Sequence, residues 1–253
     1  MDNQIRFVFI ANAGVLIEFQ GTKLLIDGIY ADEGHSFSCI PSVYWDEMKR
    51  GKGLLADVDY LLFTHEHADH FSPERVMEYL DYQNPKAIFM PKKGSSALEK
   101  LQFQAEDRNI PCTLLQESFC KRAVFMPEKE IKIIALATKH LDRRYKNVSH
   151  FCYLIQLGSK NILITGDVDF KSEQMTELQD IYLDAVLLNP LTNHSREGKD
   201  FLRKHIQARK KIIYHIPFEG EDSTQIRILV EKGLCKKNND SIYFMETGQA
   251  CYL

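Results

Sequence analysis

The chain has 253 residues, 44% hydrophobic and 26% charged, with a net charge of -3, the balance of a globular protein able to bury a substantial core. The mildly acidic balance argues against nucleic acid or an anionic membrane as partner, and no apolar run approaches the ~20 residues that span a bilayer. Met1-Asp2-Asn3-Gln4 does not begin a signal peptide, and Cys39, Cys112, Cys120, Cys152, Cys235 and Cys251 form no C-x-x-C pair, so the expectation is a cytoplasmic protein with reduced thiols.

Ile5 to Ile10, Gly14 to Phe19 and Lys23 to Ile26 are apolar, β-branched stretches joined by tight turns, a meander that ends at Asp27-Gly28. Asp27 reads either as a turn former or as a buried carboxylate that orients a metal ligand, and local context favours the turn former. Residues 30–53 form a long, irregular insert carrying His35, Phe37, Pro41, Tyr44 and the only tryptophan, Trp45. Its aromatics suit a lid over a pocket and an anchor to the body of the fold equally well. Asp57 to Thr64 is a continuous apolar strand of the kind buried on both faces.

Thr64-His65-Glu66-His67-Ala68-Asp69-His70 follows that strand directly. An extended backbone alternates its faces, so His65 and His67 can project from one side of the strand end. The chain then turns, because Ser72-Pro73-Glu74 reads as a helix start with Ser72 as N-cap. Asp69 and His70 fall in the intervening loop and can reach the same point from another direction. Imidazole and carboxylate converging this way are ligand chemistry for zinc, iron or manganese.

Downstream, the spacing predicts helices from Pro73 to about Tyr82 and from Ser95 to about Gln104, with a strand Ala87 to Met90 between them. Cys112 to Leu115, Ala123 to Met126, Ile131 to Ala137, Phe151 to Leu157 and Asn161 to Thr165 read as strands, the last two joined by a turn at Gly158-Ser159. A helix from near Ser172 to Tyr182, a strand Asp184 to Leu188, a helix Ser195 to Ala208 and a strand Lys211 to Tyr214 follow. Gln225 to Glu231 is a helix with Gly233 as its C-cap, and Ser241 to Glu246 pairs with Ala250 to Leu253 as a closing hairpin. No linker or internal repeat is visible. The expected organisation is a single α/β domain over residues 1–253, with helices packed on sheets.

His65, His67, Asp69, His70, His140, Asp167 and His215 all lie just beyond the C-terminal ends of predicted strands, the edge where α/β proteins place their sites. Seven such residues exceed what one tetrahedral metal can use and suit two metals sharing a carboxylate.

These motifs resemble the metallo-β-lactamase superfamily, most closely its branch of ascorbate-6-phosphate-lactonase-like hydrolases. The resemblance covers nearly the whole chain. It rests on Leu24-Leu25-Ile26-Asp27, the His65-to-His70 cluster, His140, Gly166-Asp167 and Tyr214-His215-Ile216-Pro217, in the family's order. It implies a four-layer αβ/βα sandwich, with His65, His67 and His140 on one metal, Asp69, His70 and His215 on a second, and Asp167 bridging them. Asp27 then matches the carboxylate behind the ligands, which displaces the turn-former reading. His150 is the alternative to His140: it lies nearer Asp167 in sequence, whereas His140 directly follows a strand and leaves Asp142-Arg143-Arg144-Tyr145 as an inserted loop.

The activity implied is hydrolysis by a hydroxide held between two divalent metals, with Asp69 and Asp167 as the catalytic carboxylates. Zinc is the expected ion; manganese and iron also suit a His/Asp set without cysteine. The expected substrate is a small anionic ester, lactone or phosphoester, and Lys92, Lys93, Arg143 and Arg144 are cations that could meet it. His194 and Trp45 are candidates for the substrate pocket, His35 for a surface role and His205 for a structural one. A metal-dependent nuclease resembling ribonuclease Z is one alternative, against which the acidic balance counts. A di-iron redox protein is another and would need a separate electron donor. Oligomeric state is not readable.

Overall fold

Three apolar segments open the computed structural model as an antiparallel meander: β1 (Ile5–Ala11), β2 (Gly14–Phe19) and β3 (Thr22–Ile26). The turn between β2 and β3 is Gln20-Gly21, both at positive φ (49° and 85°), the geometry whose twist matches that of the flanking strands. The structure describes residues 4–92, 95–116, 121–234 and 240–253. Met1-Asp2-Asn3, Lys93, Cys120 and Cys235 lie outside the described residues.

Contacts divide the chain into two units, Met1–Leu115 with Glu246–Leu253, and Gln116–Met245. The first holds one sheet. To the meander it adds β4 (Tyr60–Leu62), β5 (Ala87–Pro91) and β6 (Cys112–Leu115) in parallel beyond β3, and β14 (Ala250–Tyr252) antiparallel against β1. Helices α1 (Ser42–Lys49), α2 (Pro73–Leu80) and α3 (Ser96–Asp107) fall in the crossover connections. Helix α2 starts as its sequence dictates: Pro73 occupies the first helical position and Ser72 Oγ accepts the Arg75 N–H at 3.2 Å.

The second unit holds the other sheet, in the order β13 (Ile242–Tyr243), β12 (Gln207–Ile213), β11 (Tyr182–Leu188), β10 (Lys160–Ile164), β9 (His150–Leu157), β8 (Ile131–Thr138) and β7 (Arg122–Glu128). Its core gathers Leu154, Leu163, Val186, Ile213 and Val230 with their neighbours. Helices α4 (Glu173–Thr176), α5 (Pro190–His194), α6 (Arg196–His205) and α7 (Ile226–Leu234) belong to this unit. Among the described residues, no helix is long and apolar enough to cross a membrane.

The two sheets share one pairing pattern. Read from β14 to β6 and from β7 to β13, each has three antiparallel pairings followed by three parallel ones. Asp27 follows β3 and Asp167 follows β10, the corresponding strand of each sheet, where antiparallel pairing gives way to parallel. No sequence repeat announces this.

Several sequence expectations need correcting. The strand expected over Asp57 to Thr64 is reduced to β4, because Asp57 turns left-handed (φ 55°) and interrupts the extended run. The insert is not wholly irregular, since α1 lies within it. The helix expected over Ser172 to Tyr182 stops after α4 and continues as tight turns, with the Leu178, Gln179 and Ile181 amides each bonding three residues back. The helix expected to reach Ala208 ends at His205, because Gln207 already pairs in parallel with Tyr182; pairing overrides local propensity. Gly233 is no C-cap but lies inside α7, where a Cβ would sit 2.2 Å from the His194 ring. Nor do the last two strands form a hairpin: β13 extends the second unit's sheet and β14 the first's.

Candidate functional site

In the first unit, parallel pairing of β3 with β4 carries Asp27 to the end of the strand that leads into the histidine cluster, with the Asp27 N–H on the Leu62 carbonyl at 3.0 Å. Asp27 is wholly buried and left-handed (φ 48°). Its carboxylate is fully used. Oδ1 accepts the Thr64 N–H at 2.8 Å, and Oδ2 accepts the Thr64 hydroxyl at 2.7 Å and His70 Nδ1 at 3.0 Å.

That arrangement sets the tautomers of two rings. Asp27 has only acceptors, so His70 carries its proton on Nδ1 and presents the Nε2 lone pair. The Thr64 hydroxyl gives its proton to Asp27 and so accepts from His65 Nδ1 at 3.0 Å, which leaves His65 Nε2 as a lone pair too. His67 brings Nδ1 to 3.0 Å from His65 Nε2. Two nitrogens bound to one ion at ~2.1 Å stand about 3.0–3.4 Å apart, so this spacing fits shared ligation. Asp69 Oδ2 lies 3.5 Å from His70 Nε2 and is held by Asn12, whose Nδ2 donates to Oδ2 at 3.1 Å and to the Asp69 carbonyl at 2.9 Å.

In the second unit, β8, β10, β11 and β12 run in the same direction, so the residues after them collect on one edge. An isolated bridge, His140 to Val168, ties the loop after β8 to the loop after β10. Asp167 then lies between two histidines: Oδ2 is 3.7 Å from His140 Nε2 and Oδ1 is 3.5 Å from His215 Nε2. Asn189 Nδ2 donates to Oδ1 at 2.6 Å, while the Asn189 carbonyl oxygen of the side chain caps α5 by accepting the Leu191 N–H. The backbone at His215 is left-handed (φ 61°), a conformation costing about 1–3 kcal/mol that concentrates at functional positions.

His140, not His150, faces Asp167. His150 is wholly buried, its Nδ1 2.7 Å from the Thr138 hydroxyl and its ring centroid 6.0 Å from that of His140. The Asp142 N–H donates to His140 Nδ1 at 3.0 Å, so the neutral ring holds its proton on Nε2, towards Asp167. Ligation through Nε2 would move that proton to Nδ1 and release the Asp142 amide.

Among the described residues, those that qualify as candidate metal ligands are His65, His67, Asp69 and His70 in the first unit and His140, Asp167 and His215 in the second. Paired nitrogens, carboxylates held in place and oriented lone pairs fit divalent ions with nitrogen and oxygen ligands.

Other singled-out residues are not among the candidate ligands. Trp45, on α1, is buried against α2, its Nε1 donating to Glu78 Oε1 at 3.0 Å and its ring under Arg75, while another part of it lines a pocket of about 240 Å³ with Asp32, Cys39 and Ile40. His35 braces its own loop, with Nε2 2.8 Å from the Ala31 carbonyl and Nδ1 accepting the Phe37 N–H. His194 ends α5 beside Tyr243, and His205 stacks on Phe201. Lys92 is exposed, as are Arg143 and Arg144. Sequence reading missed Asn12, Thr64 and Asn189 as supports. Asn12 occupies a turn and Asn189 precedes Pro190, so both read as turn chemistry alone.

No family model matches the chain. Among curated proteins it is 28% identical over 205 residues to a UPF0173 protein of Pyrococcus furiosus, covering 78% of this chain and 77% of that one. It is 24% identical over 215 residues to ComE operon protein 3 of Bacillus subtilis, covering 81% of this chain but only 26% of that protein, so it spans about a quarter of that relative's length. Among solved structures, Igni18, a metallo hydrolase of Ignicoccus hospitalis, matches with a TM-score of 0.61 at 13% identity over 99% of this chain and 98% of its own. The metallo-β-lactamase fold protein YhfI of Bacillus subtilis matches at 0.63 and 12% identity over 99% of this chain and 100% of its own. CmlA, a diiron β-hydroxylase of Streptomyces venezuelae, matches at 0.59 and 14% identity over 100% of this chain and 54% of its own. With two mixed sheets flanked by helices and ligand-type residues on their C-terminal edges, the chain has the metallo-β-lactamase fold, the fold of named metal-dependent hydrolases.

Proposed function

We propose that the protein is a metal-dependent hydrolase of the cytoplasm acting on a small anionic ester, lactone or phosphoester. In this reading His65, His67 and His140 hold one divalent ion, Asp69, His70 and His215 hold a second, and Asp167 bridges the two. The observation that carries the reading is the buried network behind the cluster, in which Asp27 and Thr64 hold His65 and His70 in the tautomer that presents Nε2. Solvated loop histidines have no need of such support.

When bound, such ions lower the pKa of coordinated water from 15.7 to about 7 and polarise the bond to be cleaved. The chain's own residues do the rest. Asn12 holds Asp69 Oδ2 in place, so this carboxylate can take a proton from the attacking water and pass it to the leaving group. Asn189 fixes the rotation of Asp167, so that each oxygen keeps its own histidine. Zinc heads the list of ions, and the His/Asp set suits manganese and iron as well. The net charge of -3 favours a small molecule over nucleic acid as substrate.

The deciding experiment measures the metal content of protein purified without added metal, beside a hydrolysis screen of lactones, phosphodiesters and thioesters. Zinc or manganese with turnover supports the proposal, and loss of both metal and turnover in His67→Ala and Asp167→Ala ties them to these residues. Full activity in either variant would overturn it. Iron without hydrolysis favours a second reading, a di-iron redox protein, to which the fold likeness to CmlA lends support.

A further inference from the structure

The loops that carry His140 and Asp167 also build a cavity. The Leu141 N–H donates to the Asp167 carbonyl and the Asp169 N–H to the Lys139 carbonyl, each at 2.7 Å, so the two loops are zipped into one wall. Leu141, Phe170 and Leu191 supply apolar surface to a pocket of about 300 Å³ beside this wall, near the lower end of the range for small-molecule sites. Leu191 belongs to α5, the helix capped by the same Asn189 that holds Asp167. The connections after β8, β10 and β11 therefore carry both Asp167 with its neighbours His140 and Asn189 and the pocket residues Leu141, Phe170 and Leu191.

The charges at the mouth are unequal in their commitments. Lys171 is paired with Glu197 at 3.3 Å, and Asp169 accepts the Lys171 N–H at 3.0 Å. Neighbouring Arg144 is spent on Asp142, with two guanidinium contacts at 2.9 and 2.6 Å. Arg143 lines the same pocket, is exposed and makes no ion pair among the described residues. Leu191 is a large apolar side chain 41% exposed on this rim, a surface that gains by being covered.

We propose that this pocket is the substrate subsite: it takes a compact apolar group, with Arg143 meeting an anionic end. This rests on the hydrolase reading and narrows its substrate class to esters or lactones with a short aliphatic or aromatic part that carries a carboxylate or phosphate. Leu191 and Arg143 are specificity residues.

The test titrates the full chain, as purified and with its metal content measured, with hexanoate, hexanol and acetate, and reads binding by ligand-observed NMR. Acetate accounts for any contact between a carboxylate and metal. Hexanoate should bind about tenfold more tightly than acetate, and Leu191→Ser should weaken hexanoate and hexanol by about tenfold without altering acetate. Arg143→Ala should remove the advantage of hexanoate over hexanol. Both residues are exposed, so unchanged melting and metal content serve as folding controls. Equal binding of hexanoate and acetate, or hexanoate binding indifferent to Leu191→Ser, would overturn the subsite. Binding is read without turnover, so the two proposals fail separately. Hexanoate binding in a protein that hydrolyses nothing defeats only the hydrolase reading, and turnover without the Leu191 effect defeats only the pocket.

Discussion

His70 Nδ1 lies 3.0 Å from Asp27 Oδ2, and neither side chain is exposed to solvent. Parallel pairing of β3 and β4 brings these residues together across 43 positions of sequence. Asp27 accepts three hydrogen bonds, from the Thr64 amide, the Thr64 hydroxyl and His70, and each requires a lone pair.

Asp27→Asn keeps the shape but turns one acceptor into a donor, which must then face another donor. Metal affinity should fall by about 10–100-fold, the usual cost of disturbing a group behind a ligating histidine. Competition with a chromophoric chelator measures it. Affinity within a factor of two of wild type would show that Asp27 does not set the tautomer.

His140→Ala and His150→Ala separate the two candidate ligands. His140→Ala should lose bound metal. His150→Ala should keep its metal and lose stability, because it opens a buried space beside Thr138, whose hydroxyl loses its ring partner. Metal content and melting temperature decide between them, and the reverse pattern would move the ligand to His150.

The sequence made the ligand candidates legible because each follows an apolar strand with little intervening loop, so residue type and strand end sufficed. It also showed the α/β alternation. The supports were hidden for a physical reason: Asn12 reaches Asp69 across 57 residues and Asn189 reaches Asp167 across 22, contacts that depend on strand order rather than local pattern. The shared pairing pattern of the two sheets was hidden likewise, since pairing direction leaves no mark on residue identity. Short local signals failed where pairing overrode them, as at Gln207, where a helix-like run joins β12.

Acid should act on the insert through Glu78. Partial burial pushes its carboxyl up, but hydrogen bonds from Lys49, Trp45 and Arg75 outweigh that and hold it at about 2 against an ordinary 4.5. The folded value is depressed, so the associated stability is present above 4.5 and is lost as pH falls from 4.5 towards 2. A third of the side chain is exposed, so screening limits the effect to about 1 kcal/mol. Glu78→Gln should melt below wild type at pH 7, with the gap closing over that window; a constant gap would refute the assignment.

Thiol chemistry should be selective. Burial pushes the Cys152 thiol up to about 12 and the Cys112 thiol up to about 11. Neither forms appreciable thiolate near neutrality. Among the described cysteines, alkylation of native protein at pH 8, with peptides identified by mass spectrometry, should spare both and mark the half-buried Cys39 and Cys251 first. Early modification of Cys152 would mean that β9 opens readily.

The strand β14 closes the first unit's sheet only after the whole second unit has been traced, with the Leu253 N–H on the Ile5 carbonyl at 2.9 Å. The second unit is one unbroken run of chain, whereas the first is discontinuous. A closure spanning nearly 250 residues carries a large loop entropy and sits among the slowest kinds of contact to form. During folding the edge of β1 should therefore stay open longest, and an extended peptide copying Ala250 to Leu253 is the natural competitor to trap that stage.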